Sequence, residues 1–303
     1  MRHRGAALPD HRRHRRDQLP HHPTDLHPGG EAMNRPGKLV YGLLAAVILG
    51  GLFPLWWSFL IASHDSSILS RDPFPLIPGG NFISNAATVI DTVDFWQATL
   101  NSIIVSTVVS VSVVFFATLA GYAFAKLRFR GRGPLLVFVI ATMAVPTQLG
   151  VVPLYQVMAK LGWTGELQAV IVPGLVTAFG VFWMTQYLSS AVPDELIEAA
   201  RVDGCSMIRT FWHVGLVAAR PAASMLGLFT FVATWTNFFW PFIVLRSSNP
   251  TLPVALQQLQ AAHWVDYSLV LAGALLATIP LLILFVVAGR QLVSGIMQGA
   301  VKQ

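Results

Sequence analysis

The sequence predicts an all-α membrane protein of six transmembrane helices with one long charged inter-helix loop on its side of the membrane. Three observations carry this. Six apolar segments, at about 39–62, 98–125, 134–158, 168–188, 222–245 and 268–289, each approach the roughly 20 residues a helix needs to cross the hydrocarbon of a bilayer. Charged residues make up 11% of the chain and apolar ones 54%, whereas about 25% charge is usual for soluble domains. Between the fourth and fifth apolar segments lies a polar stretch, residues 189–221, whose charges interrupt an otherwise hydrocarbon-compatible chain.

The chain opens on a segment of a different kind. Residues 1–32 contain six histidines and many arginines with almost no apolar periodicity, and so polar a segment cannot bury a core. A disordered basic extension is expected there; a metal-binding histidine tract or an anchor for anionic lipid are the other readings of its composition. Met33-Asn34-Arg35-Pro36 would make an ordinary start just before the first helix, so the extension is expected to be separable from a transmembrane domain spanning 33–303. The first apolar segment is too long and too rich in tryptophan for a cleaved signal peptide, and it reads as a retained helix.

Lysine and arginine set the expected orientation. With the N-terminus inside, Lys126, Arg128, Arg130 and Arg132 fall in the loop after the second segment, on the inner side. Arg201, Arg209, Arg220, Arg290 and Lys302 join them there, while Arg71, Lys160 and Arg246 fall outside with most of the acidic residues. This asymmetry predicts both termini on the cytoplasmic face of a plasma membrane.

The long loop has a legible local design. Pro193, Asp194 and Glu195 suit the first turn of a helix, where a missing N–H is harmless and negative charge meets the positive end of the dipole. Glu198, Ala199, Ala200, Arg201 and Asp203 follow, and Gly204 is placed to end the helix in a left-handed cap. Ser206 can cap a second helix carrying Ile208, Phe211 and Trp212. Two adjacent alanines let another surface approach closely, and Glu198 and Arg201 offer charge for pairing. A simple solvated loop is the bland alternative.

What the apolar segments lack is also informative. Their interiors hold no Asp, Glu, Lys, Arg or His, the residues that ion-coupled transporters and membrane enzymes use for relays and catalysis. The chain has no phosphate-binding glycine-rich loop with Lys and Ser or Thr, so no nucleotide site and no metal or other cofactor is expected in it. An enzyme and a proton-coupled secondary transporter are therefore disfavoured, and any energy for transport must enter from a partner. A pathway through such helices would be lined by neutral polar and aromatic groups. The fifth segment supplies Trp235, Asn237 and Trp240, and Gln148 lies beside a bend expected at Pro146. An amide in hydrocarbon requires a partner, so Asn237 is expected to face water or protein. Interfacial anchoring of Trp240 and helix–helix bonding by Asn237 are the competing structural readings. Further prolines at 153, 173 and 280 mark expected kinks. The lone Cys205 excludes an intramolecular disulfide.

The charged loop resembles the EAA loop of inner-membrane permease subunits of bacterial ABC importers. The family pattern places E-A-A, three residues, Gly, nine residues and I-x-L-P in order; Glu198, Ala199, Ala200 and Gly204 match it, Val214 and Leu216 stand in conservatively, and Val217 replaces the proline. Val145-Pro146 with Val152-Pro153-Leu154-Tyr155, the run Trp235 to Pro241, Thr251-Leu252-Pro253-Val254 and the closing Gly295 to Lys302 resemble the carbohydrate-uptake branch, on its maltose-type second six-helix permease. The resemblance covers about residues 39–303 and implies the type I (MetI-like) importer permease fold. It implies that the loop is a coupling helix docking on an ATPase, and that this chain forms half of a pathway for a sugar or oligosaccharide. It further implies as partners a second homologous permease, two ATP-binding subunits holding ATP and Mg, and an extracytoplasmic sugar-binding protein. The lipid bilayer is the remaining partner, and nucleic acid is not expected. Glycerol-3-phosphate or another polar metabolite is the alternative cargo.

Overall fold

The computed structural model describes residues 37–300 apart from 246, 248 and 261–264, with side chains followed as far as residue 289. The expected extension at 1–32 and the closing motif from Gly295 lie outside the residues whose side chains are described. The chain divides into two units, one ending at Gly50 and the other beginning at Gly51. Of the first unit, residues 38–50 form the start of helix α1 (Lys38–Ala62), and residues 37–50 are all exposed. The second unit carries all the remaining helices.

After α1 come α2 (Phe82–Thr92), α3 (Phe95–Lys126), α4 (Arg132–Thr142), α5 (Val151–Lys160), α6 (Gln168–Gly174) and α7 (Ala178–Ala191). They are succeeded by α8 (Asp194–Val202), α9 (Met207–Thr210), α10 (Leu216–Trp235), α11 (Phe239–Val244), α12 (Leu252–Gln257) and α13 (Tyr267–Ala300). Five helical stretches are long and apolar enough to cross a membrane, and α4 with α5 makes a sixth if that pair, bent by 88°, is one span.

Hydrogen bonds decide that point. Arg132 donates to Leu127 O and Ala125 O at the C-terminal end of α3. Beyond α5, Gly165 N donates to Val244 O, Asn249 Nδ2 donates to Gly165 O, and Asn101 Nδ2, near the N-terminal end of α3, donates to Asn249 Oδ1. The α4–α5 pair therefore begins at one end of α3 and finishes near the other, so it is a broken span and the expected count of six holds.

Several boundaries shift for reasons that lie in tertiary packing. The fifth span is expected at 222–245, but the helix starts at Met207 and ends at Trp235. It passes through a π-helical turn, Phe211–Gly215, on the way. Gly215 lies against the Tyr122 ring, where a Cβ would come within 2.7 Å of Cδ2. The third and fourth spans, expected over 134–158 and 168–188 with kinks at their prolines, are each fully interrupted. Helices α2 and α12 are additions in segments that read as loops.

The core is the mutual packing of α3, α7 and α10. Small residues bring the backbones together: a Cβ on Gly180 would meet Ala117 Cβ at 3.1 Å and Val113 Cγ1 at 3.2 Å, and one on Gly227 would meet Val114 at 3.2 Å. With lipid as solvent, such close approach supplies the dispersion contacts that hold helices together. Val105, Val109, Val113, Met184, Leu188, Ala219 and Leu226 fill the space between them.

Candidate functional site

Two regions bring together the residues picked out in the sequence. The first is α8. Pro193 precedes it, with Asp194 and Glu195 in its first turn and Arg201 in its last, each charge complementing the helix dipole. At its C-terminus Cys205 N donates to Ala200 O at 2.9 Å and Gly204 N to Arg201 O at 3.0 Å, the paired bonds of a Schellman cap. Gly204 sits at φ +75°, a left-handed conformation that a Cβ would strain. Ser206 then accepts from Arg209 N and starts α9, as the sequence indicates.

Among α8 residues only Ile197 is buried, in the cluster that holds Tyr122, Leu188 and Val192. Glu198, Ala199, Arg201, Asp203 and Gly204 are exposed, and Ala200 is half-buried. Two residues of this surface escape a sequence reading based on charge. Leu196 and Val202, the latter 88% exposed, are apolar side chains on a helix that is otherwise polar outside. Their signal is present in the sequence: an aliphatic residue off the buried face of a short charged helix has no use for water.

The second region is a cavity of about 670 Å³. Three helix interruptions meet around it. The break between α4 and α5, a short 3-10 turn over Thr147–Gly150, contributes Thr147, Gln148 and Val151. The break between α6 and α7 contributes Pro173, Gly174 and Thr177, whose hydroxyl accepts from Gly180 N at 3.1 Å. The break between α10 and α11 contributes Thr234, Asn237 and Phe239. Backbone that leaves the helix at membrane depth is stable only where protein or water satisfies its freed groups, and three such breaks converge on this one hollow.

Asn237 and Gln148 both line this cavity, and while the Asn237 backbone N–H donates to Thr234 O, its side-chain amide makes no hydrogen bond to another described group. Trp240 lines it too while its Nε1 donates to Ala169 O at 3.0 Å, fastening α11 to α6. Trp235 is elsewhere. It is 3% exposed, its indole donates to Ala277 O at 3.2 Å on α13, and its ring stacks on Phe231. The last residue of α10, it is turned away from the hollow and into packing against α13. Among the described residues, no acidic or basic side chain lines the cavity and no group of three metal-ligating side chains occurs.

Residues 113–294, covering α8 and all three interruptions, match the family of binding-protein-dependent transport system inner membrane components. The chain belongs to this family. It is a multi-pass transport component of the inner membrane, not an enzyme. Among relatives of this permease, the arabinooligosaccharides transport system permease protein of Halalkalibacterium halodurans is 32% identical over 83% of the chain and 91% of its own length. The sn-glycerol-3-phosphate transport system permease protein of Salmonella typhi is 26% identical over 87% of the chain and 98% of its own length. In fold, the permease is similar to a crystal structure of a bacterial ABC transporter involved in import of the acidic polysaccharide alginate. The TM-score is 0.70 at 23% identity, covering 84% of this chain and 99% of that one.

Proposed function

We propose that this permease forms half of the passage of an ATP-driven importer for a sugar or oligosaccharide, with Asn237, Gln148 and Trp240 on the substrate path and α8 docking on the ATPase. A second, homologous permease supplies the other half. Two ATP-binding subunits hold ATP and Mg, and an extracytoplasmic binding protein delivers the sugar. Both termini and α8 face the cytoplasm in this reading, which follows from the inward bias of lysine and arginine.

The observation that carries the proposal is the meeting of three helix interruptions at one cavity lined by Thr147, Gln148, Thr177, Thr230, Thr234, Asn237 and aromatic rings. Hydroxyls and amides suit the hydroxyls of a sugar, and Phe229, Phe239 and Trp240 suit its apolar faces. The glycerol-3-phosphate relative keeps a phosphate ester as the second reading. A phosphate dianion calls for arginine, lysine or helix N-termini along its path, and the described lining holds no cation. Reconstituting the complex with its binding protein and measuring ATP-dependent uptake across neutral oligosaccharides and glycerol-3-phosphate tests the choice. Uptake confined to neutral sugars is expected; uptake of the phosphate ester alone would replace the sugar reading.

A further inference from the structure

We infer that Lys126 is a positioning residue that ties the coupling helix α8 to the ends of α3 and α7, so that the three move as one body. The inference rests on the reading of α8 as the helix that meets the ATPase.

Lys126 is the last residue of α3, and its side chain is 5% exposed. A buried ammonium must recover its lost hydration from fixed acceptors. It finds two on different elements. Nζ donates to Ser189 O at 3.1 Å, in the last turn of α7, and to Asp194 Oδ1 at 2.8 Å, the first residue of α8. Asp194 is 72% exposed, so water alone would satisfy it. The lysine, not the aspartate, needs this pair. The Asp194 carboxyl is held below the usual carboxylate range, first by the hydrogen bond from Lys126 and then by its charge, with Arg128 and Arg132 adding to it.

Ile197, the buried residue of α8, also fixes this helix to the bundle, but as an apolar contact without direction. The ion pair supplies the missing directional constraint at the start of the same helix. Both helices it engages lead to the cavity. Val109, about 25 Å along α3 from Lys126 at 1.5 Å per residue, lines it, as do Thr177 and Phe179 at the head of α7. A push on α8 is thus delivered to two cavity walls through one ammonium.

The test compares variants of the assembled, reconstituted transporter by sugar taken up per ATP hydrolysed. Lys126→Met removes the buried charge without leaving another stranded, because Asp194 is solvated. It is expected to keep its ATPase subunits and hydrolysis while the ratio falls about fivefold or more, the low end of coupling between sites. Lys126→Arg should keep most of the ratio. Asp194→Ala added to Lys126→Met should lower it no further, since the two act as one link. An unchanged ratio in Lys126→Met, or full additivity of the pair, overturns the inference. Should Lys126→Met fail to assemble, Asp194→Lys at its exposed position decides: a lowered ratio supports the link and an unchanged one refutes it. Gly204→Val serves as the separate check on α8: if it uncouples while Lys126→Met and Asp194→Lys do not, the latch alone is wrong. If neither alters coupling nor ATPase retention, the reading of α8 itself falls.

Discussion

Gly121 of α3 abuts Met184 of α7 so closely that a Cβ on the glycine would lie 2.6 Å from Met184 Cβ and 2.8 Å from its carbonyl carbon. Nothing there is the flexible tip of a side chain; the obstacle is the backbone of the neighbouring helix. Gly121→Val must therefore part the two helices at this contact. Overpacking of this kind costs about 1–3 kcal/mol or more. The expected outcome is a marked fall in detergent-solubilised thermal stability and in recovered complex, whereas Gly227→Ala, facing only a Val114 methyl at 3.2 Å, should be mild.

Asn101 holds a second joint. At 1% exposure it accepts from Gln97 Nε2 and donates to Asn249 Oδ1 and Pro250 O, while Ser102 Oγ one residue on accepts from Leu252 N at 2.7 Å. Together they pin the connection between α11 and α12 to α3. Asn101→Leu strands the buried Pro250 carbonyl and the half-buried Asn249 amide oxygen, at a cost of about 1–3 kcal/mol for each group left unpaired. Thermal unfolding of the purified complex should shift down, and protease cleavage at 245–252 should speed up. Unchanged protection would mean that this network does not hold the joint.

The docking surface of α8 makes a separate prediction. Glu198→Lys reverses an exposed charge without touching the core, and Gly204→Val disturbs only the Schellman cap at φ +75°. Both are expected to lower sugar uptake severalfold through loss of ATPase binding or of coupling, with the permease itself still inserted and stable. Replacing Val202 by Asp should act in the same direction. Normal uptake by all three would mean that partner contact lies elsewhere.

Orientation is checked by labelling. Single cysteines replacing Arg130 and Asp91, in a Cys205→Ser background, are expected to react with an impermeant thiol reagent from opposite sides of the membrane, Asp91→Cys from outside intact cells and Arg130→Cys only in inverted vesicles. Reaction of both from the same side would contradict the six-span path.

Much of this architecture is legible in the sequence because its signals are local. The α8 helix and its cap follow from Pro193, Asp194, Gly204 and Ser206 acting on their own neighbours. Spans are legible from hydropathy, which measures length in hydrocarbon and little else. Interruptions are not, since Pro146 and Pro173 announce a bend without saying whether neighbours will tolerate a full break. The break after Trp235 has no proline at all before Pro241 and depends on tertiary packing. The same limit misplaces Trp235. A window of aromatic and polar residues reads alike whether its rings face a passage or a neighbouring helix, and only the turn of the backbone at Thr236 separates Trp235 from Asn237. Exposed Val202 is hidden by the charges around it, although a docking surface needs aliphatic residues as well.

Passage of substrate through the cavity where the three interruptions meet is the central claim. Its most direct test is the reactivity of Asn237→Cys in a Cys205→Ser background, measured in the reconstituted transporter with a membrane-impermeant thiosulfonate. The reagent is expected to modify the cysteine during turnover and abolish sugar uptake, and saturating sugar with its binding protein is expected to slow the modification. An Asn237→Cys transporter that takes up sugar normally and remains unmodified while turning over would contradict the claim.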